Sequence, residues 1–141
     1  MINFENLHHG TVDEALNLRP EDDRLHKHLG IHDVWWDDGD RAWMKMTVTE
    51  PTLNPMGMVH GGSIFALCDM AAEACIITRG RMGVTLNGNI RFYRPAKPGA
   101  VLTAMAEKRK SGRRTAVCVV RVTDEKERDI AEAGFTLFYT D

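Results

Sequence analysis

With 141 residues and a formal charge of −2, the chain is large enough for one well-buried core and lacks the basic excess that nucleic acid attracts. Cys68, Cys75 and Cys118 all sit among apolar residues, and an odd count fits reduced thiols in a cytoplasmic protein rather than a disulfide scaffold. No apolar run approaches the ~20 residues of a membrane span, and the opening Met-Ile-Asn-Phe-Glu-Asn has neither the basic region nor the apolar core of a signal peptide.

Residues 1–30 are mainly polar and predict an N-terminal helical extension. Val12, Ala15, Leu16 and Leu18 line one short helix. Pro20 opens a second, with Leu25 and Leu29 facing inward and Gly30 as its stop. His26, His28 and His32 share no helix face, because Gly30 interrupts the one spacing that would align two of them. They read as polar surface rather than metal ligands. From Ile31 the hydrophobic period changes to two. Residues 31–37 and 42–49 alternate about the turn Asp38-Gly39-Asp40, which predicts a hairpin ended by Pro51.

Residues 54–78 organise the rest. Asn54-Pro-Met-Gly-Met-Val-His60-Gly61-Gly62 runs into a helical segment that is apolar almost all the way round, and such a helix is expected to be buried. Yet it carries Asp69 and Glu73, one turn apart on the stripe that Gly62 begins. No Ser, Thr, Asp or Asn stands directly before it, so its first amides are expected to lack a side-chain cap. Bare of side chains, Gly61 and Gly62 would leave those donors open to a ligand at the positive end of the helix dipole. A backbone oxyanion hole can be built in this way.

Four strand-like runs follow. In residues 83–93, Val84, Leu86, Ile90 and Phe92 fall on one face and Thr85, Asn87, Asn89 and Arg91 on the other. Runs at 101–110, 115–123 and 130–139 are divided by the turn Ser111-Gly112 and by charged residues 124–129. The order is hairpin, long helix, four antiparallel strands. One curved antiparallel sheet wrapped around one long central helix is the α+β arrangement that buries these faces. The basic run at 107–114 is either a clamp for phosphates or a solvated hairpin tip. No Gly-x-Ser-x-Gly elbow and no glycine-rich phosphate loop occurs.

The spacing Asn54-x-x-Gly57-x-x-His60-Gly61-Gly62, with Asp69 eight residues beyond Gly61, resembles the hotdog-fold acyl-CoA thioesterases of the PaaI (phenylacetyl-CoA) type. The segment 83–99, with its Arg94-Pro95-Ala96 ending, is similar too, and the likeness spans roughly residues 30–140. It implies one hotdog domain over residues 1–141 that hydrolyses acyl-CoA to free acid and CoA, with no cofactor or metal. The Gly61 N–H would polarise the thioester carbonyl. Asp69 would activate water as general base, or attack directly. Asn54 and His60 would position thioester or water, and Thr85 would hold the water. Gly62, Glu73, Arg94, Lys97, Lys110, Arg113 and Arg114 are candidate substrate contacts, the basic ones for the phosphates of CoA. Glu73 is where the chain departs from the family pattern, and the eight-residue spacing favours Asp69 as the acting carboxylate.

Two other readings belong to the same pattern: a hydratase or dehydratase of acyl thioesters, and a non-catalytic acyl-CoA sensor. Release of free thiol excludes the first and turnover the second. Eight residues of helix separate Gly61 from Asp69 by about 12 Å, too far for both to reach one thioester. The site is therefore expected to be shared across a homodimer, and the resemblance implies that dimers pair into tetramers.

Overall fold

The computed structural model describes residues 2–141. Seven strands, β1 His8–Gly10, β2 Ile31–Trp36, β3 Arg41–Thr47, β4 Gly83–Phe92, β5 Val101–Ser111, β6 Thr115–Thr123 and β7 Asp129–Tyr139, form one antiparallel sheet in the order β1-β2-β3-β5-β6-β7-β4. The helices are α1 Val12–Ala15, α2 Leu25–His28 and the long α3 Gly61–Ile77. The sheet curls around α3, which packs on β3, β5, β6, β7 and β4. This is the hotdog arrangement. Among the described residues no helix is long and apolar enough to cross a membrane.

The core follows from two interlocking periods. Along β7, Ala131, Ala133, Phe135, Leu137 and Tyr139 point inward and are buried. Against this concave face α3 sets Leu67, Cys68, Ala71, Ala72, Cys75 and Ile76, each wholly buried. Alanines at the contact let the backbones approach, while Leu67 and Ile76 each contribute about 2 kcal/mol by leaving water.

The N-terminal segment departs from expectation in two places. Besides the two short helices it contributes a strand, β1, which pairs with β2. The second helix begins at Leu25, not at Pro20, because residues 19–24 form a turn held by Asp22 N–H to Arg19 O and by Lys27 Nζ on the Pro20 carbonyl. Leu25 is consequently exposed, and His26 takes the inward position beside Asp13. Gly30 does end this helix, at φ +69°, where a side chain would meet the Thr47 carbonyl. The three histidines point to separate partners: His26 to Asp13, His28 to Asp23, and His32 to Asp33 and Thr47.

Two further corrections shape the site. The single face expected for β4 is broken by a bulge between Thr85 and Asn87 in its pairing with β7. Before the bulge Gly83 and Thr85 face the helix; after it Gly88, Ile90 and Phe92 do, opposite the inward residues of β7. One extra residue puts the two halves of the strand in opposite phase, so with Ile90 and Phe92 inward beyond the bulge, Val84 before it lies opposite Phe138 on the outer surface. Nor is α3 enclosed all round. The sheet covers one side, and the stripe Gly62, Phe65, Ala66, Asp69, Met70 and Glu73 is only partly covered or exposed.

Candidate active site

The N-terminus of α3 is built by the loop before it. His60 N–H donates to the Thr52 carbonyl at 2.7 Å, Ser63 Oγ reaches the same carbonyl at 3.3 Å, and Val59 N–H donates to Ala96 O at 2.8 Å. Asn54 closes the loop tip, its Oδ1 accepting from Met56 N–H at 2.9 Å and Met58 N–H at 3.2 Å. Its side-chain oxygen is thus committed to the loop, while its NH2 group has no acceptor among the described residues.

The helix is capped after all, and by His60. Its Nδ1 accepts from Gly62 N–H at 2.8 Å, so the imidazole does what an Asn or Asp side chain does elsewhere. Gly62 is thereby removed as a donor to substrate. The N–H of Gly61, the first helical residue, has no acceptor among the described residues. Gly61 borders a cleft of about 340 Å³ that Asn54, Met58, Ile64, Phe92 and Arg94 also line. Phe92 lies so close that a Cβ on Gly61 would stand 3.0 Å from its ring. This cleft therefore offers one helix amide, a side-chain amide from Asn54 and the cation of Arg94, at the positive end of the dipole.

A second cluster lies further along the open stripe. Thr85 Oγ1 donates to Asp69 Oδ1 at 2.5 Å, across from β4 to α3. The bulge just after Thr85 keeps this hydroxyl on the helix side while releasing the rest of the strand to the opposite phase. Glu73 stands one turn beyond. Burial, and then the nearby Asp69 carboxylate, push its carboxyl up to about 7. Cys68, next to Asp69, is buried and its thiol is pushed up to about 12, mainly by loss of solvent, so it is a packing residue and not a nucleophile.

The expected site residues thus fall into two groups: Gly61, Asn54, His60 and Arg94 at the helix start, and Asp69, Thr85 and Glu73 further along. Lys97 lies with Arg94 in a neighbouring recess shared with Asp124, Glu125 and Arg128. The basic hairpin tip does not join them. Tyr139 N–H donates to Arg114 O, tying Lys110, Arg113 and Arg114 to the far end of β7, whereas Tyr93 N–H donates to Ile130 O at its near end. The 11 residues of β7 set the two basic groups roughly 30 Å apart within one protomer.

The family model of the Thioesterase superfamily matches residues 56–131, which carry the Gly61 amide, Asp69 and Thr85. The chain belongs to the thioesterase superfamily. Among its relatives in that superfamily is the acyl-coenzyme A thioesterase PaaI of Escherichia coli, 34% identical over 111 residues, 79% of each chain. The solved structure of the E. coli PaaI protein from the phenylacetic acid degradation operon superposes with a TM-score of 0.79 at 31% identity, covering 86% of this chain and 87% of that one. A hypothetical thioesterase from Streptococcus pneumoniae, solved with coenzyme A, gives a TM-score of 0.70 at 35% identity over 72% of this chain and 82% of that one.

In this thioesterase-superfamily chain two features of the site escape a reading of the sequence, and a third does not. His60 as cap was hidden because its ring nitrogen is not among the common capping groups. Phe92 over Gly61 depends on the phase change at the bulge. The split of the site into two clusters was legible, through helix rise alone.

Proposed function

We propose that this chain hydrolyses acyl-CoA thioesters to the free acid and CoA. The observation that carries the reading is the one unclaimed amide at the start of α3, that of Gly61, on a cleft beside Asn54 and Arg94. As the carbonyl is attacked its oxygen becomes an oxyanion, and an N–H fixed in place lowers that barrier without reorganising. One such donor is worth about 10²–10³-fold. Asp69, held by Thr85, takes the proton from the attacking water, or attacks the carbonyl itself. The pantetheine thiolate is a fair leaving group. Arg94, which lines the cleft, and Lys97 beyond it meet the CoA phosphates in this reading.

The donor and the carboxylate belong to two clusters about 12 Å apart along α3, so the working site combines Gly61 of one protomer with Asp69 of a second in a homodimer. Two features support this. The stripe carrying Asp69 is the uncovered side of the helix. Beside it, β4 ends the sheet with its outer edge unpaired among the described residues, and Val84, Leu86 and Phe92 on it are exposed. A ten-residue unpaired edge with exposed apolar side chains is ordinarily covered. Pairing of such dimers into tetramers is the assembly the family resemblance implies. The cytoplasm is the compartment that three free, buried cysteines fit.

A hydrolysis screen over aryl-CoA and short- to long-chain acyl-CoA, read by release of free thiol, tests the reading. At least one substrate is expected to turn over, with Asp69→Ala lowering kcat by about 10²–10⁴-fold. No thiol release from any substrate, or undiminished turnover by the variant, would sink it.

A further inference from the structure

The reading above employs Asp69 and leaves Glu73 idle. Glu73 lies one turn further along the same open stripe of α3, partly buried, and Asp69 is the charged group that acts on it. Among the described residues no lysine, arginine or histidine compensates it, and no charged side chain of β3, β4, β5, β6 or β7 acts on it. Side chains four apart on a helix have Cβ atoms about 6 Å from each other. Two carboxyls so placed, largely shielded from water and without a cation, do not both ionise readily, so one retains a proton.

Thr85 decides which. Its hydroxyl donates to Asp69 Oδ1 at 2.5 Å, and a donor of that kind favours the ionised acceptor. Resting on the assignment of Asp69 made above, we propose that Glu73 is a positioning residue of this site. In its acid form it donates to Asp69 from the side opposite Thr85, keeping Asp69 the anion and aligned for water, and its ionisation slows turnover. Between its two states the pair carries one negative charge or two. The second charge, near a transition state that is itself anionic, costs roughly three- to tenfold in rate at the effective dielectric of a partly buried site. Since the Glu73 carboxyl is held at about 7 by burial and by Asp69, that loss falls close to neutrality.

The test compares kcat for wild type, Glu73→Gln and Asp69→Ala from about pH 5.5 to about pH 9. Glu73→Gln stays uncharged and keeps an N–H donor for Asp69. The ratio of its kcat to that of wild type is expected to climb about three- to tenfold with rising pH, with a midpoint near 7. A ratio that stays constant while Asp69→Ala is inactive overturns the role of Glu73 and leaves Asp69 standing; an active Asp69→Ala removes Asp69 and this proposal with it. A carboxyl ¹³C titration reads the pair without activity. The Glu73 midpoint should fall toward the ordinary carboxylate range in Asp69→Asn, and an unmoved midpoint overturns the pairing.

Discussion

A histidine stands where helices usually take Ser, Thr, Asn or Asp, and that substitution sets the donor geometry of the site. Because Nδ1 of His60 accepts from Gly62, the neutral ring carries its proton on Nε2, and one of two glycine amides is spent on the cap. From the sequence it was plain that a glycine pair opens the helix, but not which amide stays free, since that depends on a rotamer. The position permits a clean test. Gly61 is the first helical residue, where proline is tolerated, and His60 before it has φ −68° and ψ 137°, a conformation that suits a following proline. Gly61→Pro therefore deletes the N–H while keeping the helix. Gly61→Ala keeps the N–H and places a similar Cβ against Phe92, whose half-exposed ring can give way. The proline variant is expected to lose about 10²–10³-fold in kcat relative to the alanine variant. Equal rates in a steady-state assay would show that this amide stabilises nothing.

At the scale of elements, period-two alternation made β2, β3, β5, β6 and β7 readable, and the long apolar run made α3 readable. What alternation does not carry is where a strand gains a residue. The bulge in β4 leaves no mark in composition, yet it decides that Thr85 reaches Asp69 and that Val84 does not point inward. Downstream it also seats Gly88 against the core. A Cβ there would lie 2.6 Å from two ring carbons of Phe135 and 3.1 Å from Phe65. Phe135 is 2% exposed and packs edge-on against Phe65 at 5.3 Å between centroids, so the Phe135 ring has no room to retreat. Gly88→Ala should cost about 1–3 kcal/mol of stability, measured by denaturant unfolding, despite alanine's smaller entropy loss on folding. A midpoint equal to that of wild type would mean that β4 shifts freely on β7. The same length argument explains the basic hairpin tip. Residues at 94–97 and 110–114 are near in sequence pattern, but a strand of 11 residues holds them at opposite ends of β7.

At the scale of the whole molecule, the proposed reading gives one protomer two half-sites: a donor end at Gly61 and a carboxylate at Asp69. Helix rise alone separates them by about 12 Å. No side-chain movement closes that gap, because Gly61 contributes backbone and Asp69 is tied to Thr85. A two-fold axis close to the exposed β4 edge and the open stripe of α3 would instead bring the half-sites of two chains together twice. Complementation separates this arrangement from sites that lie within single chains. In a heterodimer of Gly61→Pro and Asp69→Ala, one shared site receives an intact Gly61 from one subunit and an intact Asp69 from the other, while its twin receives both lesions. Isolated heterodimers, purified through two different tags, should then recover about half the wild-type activity although each parent homodimer is nearly inactive. If every site were instead confined to its own chain, each would hold one lesion, and the heterodimer would be no faster than the parents.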